Sequence, residues 1–278
     1  MPNLYGNINK EVYRFYKKLP FNTYGNLNIA VKNIKNLNFK EFSLNLDDFI
    51  NKSEIIYDVG CGGGWLSNAI NYHYSKKVIG IDFNELALKH AREVAKKLKT
   101  NNIYLKKNIL SWQPKKKFDL MISMGVLHHI KNGLGVLDRL CKYGNENSRI
   151  CLGLYHKYGR QPFLDHFSKN KKKKNELFQE YKKIHTLSDS KHLKSWFLDQ
   201  VMHPYEEQYL LKEVLAVLNK KNYKFLSTSI NNFKKEPLKE IYIKEKKLYN
   251  YSLQKLKENK YYPGFFLIFA EKKHGSKK

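Results

Sequence analysis

Four glycines in five positions, Gly60-Cys61-Gly62-Gly63-Gly64, follow an apolar run that carries one acid, Ile55-Ile56-Tyr57-Asp58-Val59. A strand that feeds a glycine turn and then a helix lets the backbone approach a small ligand closely. A second apolar run, Val78-Ile79-Gly80-Ile81, ends in Asp82-Phe83. An acid at that place can accept hydrogen bonds from ribose hydroxyls. The glycine spacing does not suit a dinucleotide. A G-x-G-x-x-G pattern begun at Gly60 needs glycine where Trp65 stands, and one begun at Gly62 needs it at Ser67. Two histidines, His128 and His129, follow a third apolar run, Phe118 to Ser123. Neutral imidazole accepts a proton near pH 7, so either could act as a base, with His129 preferred. His203 and Tyr24 are further candidates to face a reacting group.

The elements that must position these groups alternate. A strand near 55–58 precedes a helix through Trp65, Leu66, Ala69 and Ile70. The strand Val78–Ile81 precedes a helix over 84–100, with Asn84 as N-cap and Glu85 in its first turn. A third strand is expected near 103–109, a fourth over 118–123, a helix over 133–143 and a fifth strand over 148–155. Strands alternating with helices predict a parallel, doubly wound sheet. Ligands of such sheets bind beyond the carboxyl ends of the strands, which gathers Gly60–Gly64, Asp82, Asn108, Met124 and Gly125 around one crevice.

Residues 1–52 precede the first strand and carry two helical stripes, Val12-Phe15-Tyr16-Leu19 and Leu27-Ala30-Val31-Ile34. They read as a helical cap, with Tyr16 and Tyr24 at the mouth of the crevice. Residues 157–205 are too long for an ordinary connection and too aromatic for a linker (Phe163, Phe167, Phe178, Tyr181, Trp196, Phe197), so they read as a lid over the acceptor. Lys169 to Lys174 is an exposed tip. Residues 206–273 complete the sheet: a helix over 206–222 started by Pro204 and two acids, a strand over 225–230, a lysine-rich helix over 238–259 with Ile241, Leu248, Tyr251 and Leu256 inward, and a strand over 264–270. Residues 274–278 form a basic tail.

The stretch Asp58-Val59-Gly60-Cys61-Gly62-Gly63-Gly64 resembles the first motif of the class I S-adenosylmethionine (SAM)-dependent methyltransferases, in a form similar to the type 11/12 members. Asp82 matches their acid after the second strand, and Phe118 to Ile130 looks like their fourth-strand motif. The resemblance covers residues 53 to 156 and returns in the order of the last elements. It implies an α/β Rossmann-like sheet of seven strands, mostly parallel with the last antiparallel. It implies SAM as cofactor, S-adenosylhomocysteine as product, and contacts from Asp58, Gly60, Cys61, Gly62, Gly64, Asp82, Phe83, Asn108, Ile109, Met124, Gly125 and His129, with Asn108-Ile109 at the adenine edge. No metal is expected. Methyl transfer is an in-line displacement that chiefly needs alignment and exclusion of water.

Three functions are compatible: transfer to an oxygen or nitrogen of a small metabolite, which is preferred; modification of tRNA; and SAM binding without catalysis. The net charge of +27 would suit nucleic acid. Yet the 278 residues hold only five arginines against 47 lysines, and arginine is the preferred partner of phosphates and base edges. The excess therefore reads as compositional bias on solvated faces. Cys61, Cys141 and Cys151 show no paired or metal spacing, which fits a reducing compartment. The first residues lack an apolar signal core, and no apolar run nears the roughly 20 residues of a membrane span. A cytoplasmic protein is expected.

Overall fold

The computed structural model describes residues 7–19, 21, 23, 26–168, 173–187 and 189–273. Seven strands form one sheet: β1 (Ile56–Val59), β2 (Val78–Asp82), β3 (Ile103–Lys106), β4 (Phe118–Met124), β5 (Gly144–Tyr155), β6 (Tyr223–Thr228) and β7 (Phe265–Lys272). Their order is β3-β2-β1-β4-β5-β7-β6. Strands β1 to β5 pair in parallel, while β7 is antiparallel to both β5 and β6. The chain leaves β1 toward β2 on one side and reaches β4 on the other, so the sheet reverses direction between β1 and β4. That is where ligands of doubly wound sheets bind.

Residue alternation along the strands sorts the two layers. Tyr57, Val59, Met121, Ile150 and Leu152 pack against α7 (Gly133–Cys141), α11 (Leu211–Lys220) and α12 (Leu238–Lys257). Ile56, Leu120, Ile122 and Cys151 pack on the opposite face. There they meet α2 (Leu27–Lys35), α4 (Leu44–Asn51), α5 (Trp65–Tyr74) and α6 (Glu85–Leu98). A one-turn helix, α3 (Phe39–Phe42), leads into α4, and α1 (Asn7–Lys18) lies across the carboxyl ends of the strands. The insertion folds into three helices, α8 (Lys157–His166), α9 (Lys174–Ile184) and α10 (Ser190–Val201). Its aromatics build a separate core of Phe163, Phe167, Leu177, Tyr181, Leu193 and Phe197.

Several expected boundaries move. The helix expected over 206–222 starts only at Leu211. The stretch before it is extended: Tyr209 donates its N–H to the Tyr155 carbonyl and its own carbonyl accepts from Lys157. The acids read as a helix start serve tertiary contacts instead, with Glu206 on Arg160 and Glu207 accepting from the Asn132 N–H as well as from the neighbouring Tyr205 and Tyr209 hydroxyls. Strand β3 stops at Lys106, short of Ile109. On α12 the inward positions are Ile241, Glu245 and Ser252, while Tyr251 is exposed. The 274–278 tail, Lys169 to Lys172 and Tyr24 lie outside the described residues; Lys173 and Lys174 are exposed. Among the described residues no helix is long and apolar enough to cross a membrane.

Candidate active site

The first βα turn is built by backbone conformations that favour glycine. Gly60, Gly62 and Gly64 all have positive φ. The N–H groups of Gly60 and Cys61 donate to the Ile81 carbonyl, which ties the turn to β2. Asp58 does not reach the cleft. It lies buried beneath the turn and accepts from the Ser67 hydroxyl at 2.6 Å. Burial pushes its carboxyl up to about 6, against the opposing effect of that hydroxyl. Cys61 packs its sulfur toward Leu88, Ala91 and Tyr104 on the far side of the turn. Burial and the Asp58 and Asp82 carboxylates hold its thiol well above the ordinary range. A Cβ on Gly64 would strike Ala91 at 2.5 Å, so this glycine serves close packing of turn on helix.

The other residues read as cofactor ligands meet in one cleft of about 860 Å³, its open mouth included. Gly60, Gly62, Asp82, Phe83, Asn108, Ile109, Met124, Gly125 and His129 line it. Asp82 accepts the Gly62 N–H on one oxygen (2.9 Å) and the Asn84 N–H on the other (2.8 Å). A carboxylate has about four acceptor sites; the Phe83 N–H takes a third, so one remains for a ribose hydroxyl. Burial raises the Asp82 carboxyl, and the three backbone N–H groups of Asn84, Gly62 and Phe83 oppose the rise. Gly125 has φ +78°, and a Cβ there would meet nothing within 4 Å. The β4 end is thus left bare toward open space. Phe83, Ile109 and Leu110 supply apolar walls. A carboxylate with a spare acceptor site, glycine edges and apolar walls together fit an adenosyl group.

Helix α1 roofs this cleft through Asn9, Val12, Tyr13 and Tyr16. Asn84 explains its seat. The Asn84 side-chain oxygen caps α6, accepting from Leu86 and Ala87, while its amide donates to the Tyr16 carbonyl. The Tyr13 and Phe83 rings lie 4.8 Å apart. Asn9 accepts from the Lys131 N–H.

The histidines separate. His129 lines the cleft; His128 and His203 do not. His128 is buried, stacks on Tyr155 at 4.0 Å and accepts the Tyr155 N–H on Nδ1. His203 packs its ring 3.9 Å from that of His129 and against Phe15. His129 sits with Nδ1 at 3.3 Å from the Tyr205 carbonyl. A carbonyl only accepts, so Nδ1 carries the proton and Nε2 the lone pair. Burial first, then neighbouring positive groups, holds both His128 and His129 well below 6.5, so both rings are neutral at pH 7. Among the described residues no group of three or more His, Cys, Asp or Glu could hold a metal ion.

Three buried polar groups carry no local signal in the sequence. Asp199 of α10 accepts the Tyr16 hydroxyl at 2.5 Å. Arg160 of α8 is fully buried, gripping Glu206 with two nitrogens and donating to the Gln200 and Pro263 carbonyls. Its guanidinium lies 3.9 Å over the Tyr155 ring. Glu245 accepts from His156 Nε2 and the Leu211 N–H.

The methyltransferase-domain family matches residues 50–267. Among curated proteins, the ubiquinone biosynthesis O-methyltransferase of Pelagibacter ubique (strain HTCC1062) is 31% identical over 104 residues, 37% of this chain and 43% of that protein. The tRNA U34 carboxymethyltransferase of Glaesserella parasuis serovar 5 (strain SH0165) is 40% identical over 93 residues, 32% of this chain and 28% of that protein. The chain therefore spans less than half the length of these relatives. Among solved structures, PKMT2 from Rickettsia typhi in complex with AdoHcy is similar with TM-score 0.54 and 17% identity, covering 80% of this chain and 49% of that one. Magnesium protoporphyrin IX methyltransferase from Synechocystis PCC 6803 with bound SAH gives 0.50 and 13%, covering 98% and 91%. At such identities the likeness is one of fold. Motif, sheet order and a family match over most of the chain agree, and the chain belongs to the methyltransferase-domain family as a class I SAM-dependent methyltransferase.

Proposed function

We propose that the protein transfers a methyl group to an oxygen or nitrogen atom of a small molecule by in-line displacement. One observation carries this reading. The chain has 52 lysines and arginines, yet none of the described residues lining the cleft is one of them. The walls are aromatic and apolar, and a cleft of this size suits small ligands. A phosphate backbone would demand cations at the mouth.

SAM supplies a methyl group on a sulfonium, already activated toward displacement. The chain's residues bind and align. Asp82 offers its one spare acceptor site to a ribose hydroxyl, with Asn108 and Ile109 beside the adenine and Phe83 as an apolar wall. Gly62 and Gly125 allow close approach of the backbone, while the bare Gly60 makes room for Val126 beside it. Asp58, Cys61 and Gly64 act from behind, by holding the turn in shape. Helix α1 and Phe21 cover the cleft and exclude water, and α10 backs that cover, with Asp199 on the Tyr16 hydroxyl and Trp196 5.7 Å from Phe21. His129 takes the acceptor's proton: the O–H or N–H bond breaks, an Nε2–H bond forms, and the electron pair stays on the attacking atom. His128 and His203 support the His129 ring.

A second reading, methylation of tRNA, draws on the printed names of the carboxymethyltransferase relatives and on the net charge of +27. Methyl-labelled SAM, the purified protein and an extract separated into small molecules, RNA and protein tell the readings apart. Label in the small-molecule fraction is expected. Label in RNA, falling steeply with salt, would overturn the first reading in favour of the second.

A further inference from the structure

The buried carboxylate of Asp199 lies at the junction of three segments that are far apart in sequence. Its Oδ1 accepts the Tyr16 hydroxyl from α1, and its Oδ2 lies 3.9 Å from His129 Nε2. Asp199 and His129 are only 4% and 2% exposed. His129 Nε2 has no hydrogen-bond partner among the described residues, and its Nδ1 is committed to the Tyr205 carbonyl. The nitrogen lone pair therefore faces a carboxyl oxygen across a gap too long for a direct hydrogen bond. Two acceptors facing each other in a buried site share a proton more readily than they remain both deprotonated.

Resting on the reading of His129 as the base, we propose that Asp199 is its positioning residue: Tyr16 fixes the carboxylate, and the carboxylate stabilises the imidazolium that forms when Nε2 takes the acceptor's proton. The base is then complete only when α1 and α10 are both docked over the cleft. Other groups face the pair: Tyr155 from β5, Arg160 from α8, His128 after β4, and His203 and Glu206 after α10. Asp82 acts on it more remotely, through Tyr16. Burial pushes the Asp199 carboxyl up to about 7, with the Tyr16 hydroxyl and Arg160 opposing, while burial holds the His129 ring well below 6.5.

Ring-nitrogen NMR of the full chain, titrated with acid, tests this, with the His129 signals identified by their loss in His129→Gln. In Asp199→Asn, His129 should need about tenfold more acid to protonate, the equivalent of one pH unit. The turnover of labelled methyl transfer should fall about 10-fold or more, and acceptor KM should change little. In Tyr16→Phe the carboxyl loses a donor, so the pair should hold its proton to higher pH; this variant carries the test if Asp199→Asn melts early. An unchanged His129 titration in both variants would overturn the inference. A wild-type chain that methylates no fraction would instead overturn the functional reading, while the titration would still decide the pair.

Discussion

Replacing Gly125 by alanine separates the cleft from the fold. A Cβ at Gly125 would meet no atom within 4 Å, so the protein itself has room for it. The cost to the fold is the left-handed backbone at φ +78°, about 1–2 kcal/mol for an L-residue. That lowers the melting point by roughly 2–4 °C per kcal/mol in a chain of this class. The open space belongs to the cleft, and a methyl group forced against a bound adenosyl group costs about 1–3 kcal/mol, as overpacking does elsewhere. The dissociation constant for S-adenosylhomocysteine should then rise about 5- to 150-fold. Gly60→Ala is the control. Its φ is nearly the same, but its Cβ would lie 2.3 Å from a Val126 methyl, so overpacking adds about 1–3 kcal/mol to the cost in stability. Titration calorimetry and thermal melts on both variants give the four numbers needed. Wild-type affinity in Gly125→Ala would show that the ligand does not pass over the end of β4 and would refute the placement. Equal melting points for the two variants would refute the packing argument.

Asp82→Ala should weaken SAM binding by about 1–3 kcal/mol, the cost of leaving polar partners unpaired; calorimetry showing unchanged affinity would remove Asp82 from the site. Arg160→Met leaves Glu206 without its partner in a largely buried place, which should cost about 3–5 kcal/mol. Adding Glu206→Gln should recover part of that loss in a denaturant melt. For Asp58 the folded value of about 6 lies above the ordinary carboxyl value, so the neutral form suits the fold and its contribution is lost as pH rises through 6. Asp58→Asn should therefore gain stability relative to wild type at pH 7.5 and lose that advantage by pH 4. Parallel melts at the two pH values check the sign.

What could be read from the chain was local. The turn after β1, the acid ending β2 and the Asn84 cap each rest on residues within a few positions of one another, where spacing alone dictates backbone conformation. The doubly wound, mostly parallel class of the sheet and its antiparallel last strand followed from alternation and the resemblance. Contacts made across the fold could not be read. Tyr16 and Asp199 are 183 positions apart, and Arg160 with Glu206 46 apart; neither pair leaves a periodic trace. The two acids after Pro204 matched a helix start because that pattern is defined by composition, whereas their carboxylates answer to groups elsewhere in the chain. Helix α12 shows the same limit. Tyr251 fits an apolar stripe, yet the helix turns Glu245 inward because His156 and the Leu211 N–H both need an acceptor there. Asp58 matched a cofactor motif, and the structure uses it under the turn rather than on the ligand side.

The position of β7 bears on how the chain acquires its shape. Among the described residues it is the last of the seven strands in sequence, yet it sits between β5 and β6 and is the only strand paired with β6. Until it leaves the ribosome, β5 presents an open edge and β6 has nothing to pair with. Arg149 meets Glu271 across that seam, a long-range closure of the kind that folds slowly. The residues just before β7 matter as well: the Pro263 and Gly264 carbonyls accept from Arg160 and His156. A nascent or clipped chain without them holds a half-built sheet and an arginine short of one acceptor. Unpaired edges of this sort invite aggregation. Quality control in the cell would thus act on this protein most strongly in the interval before its final strand is threaded into the sheet.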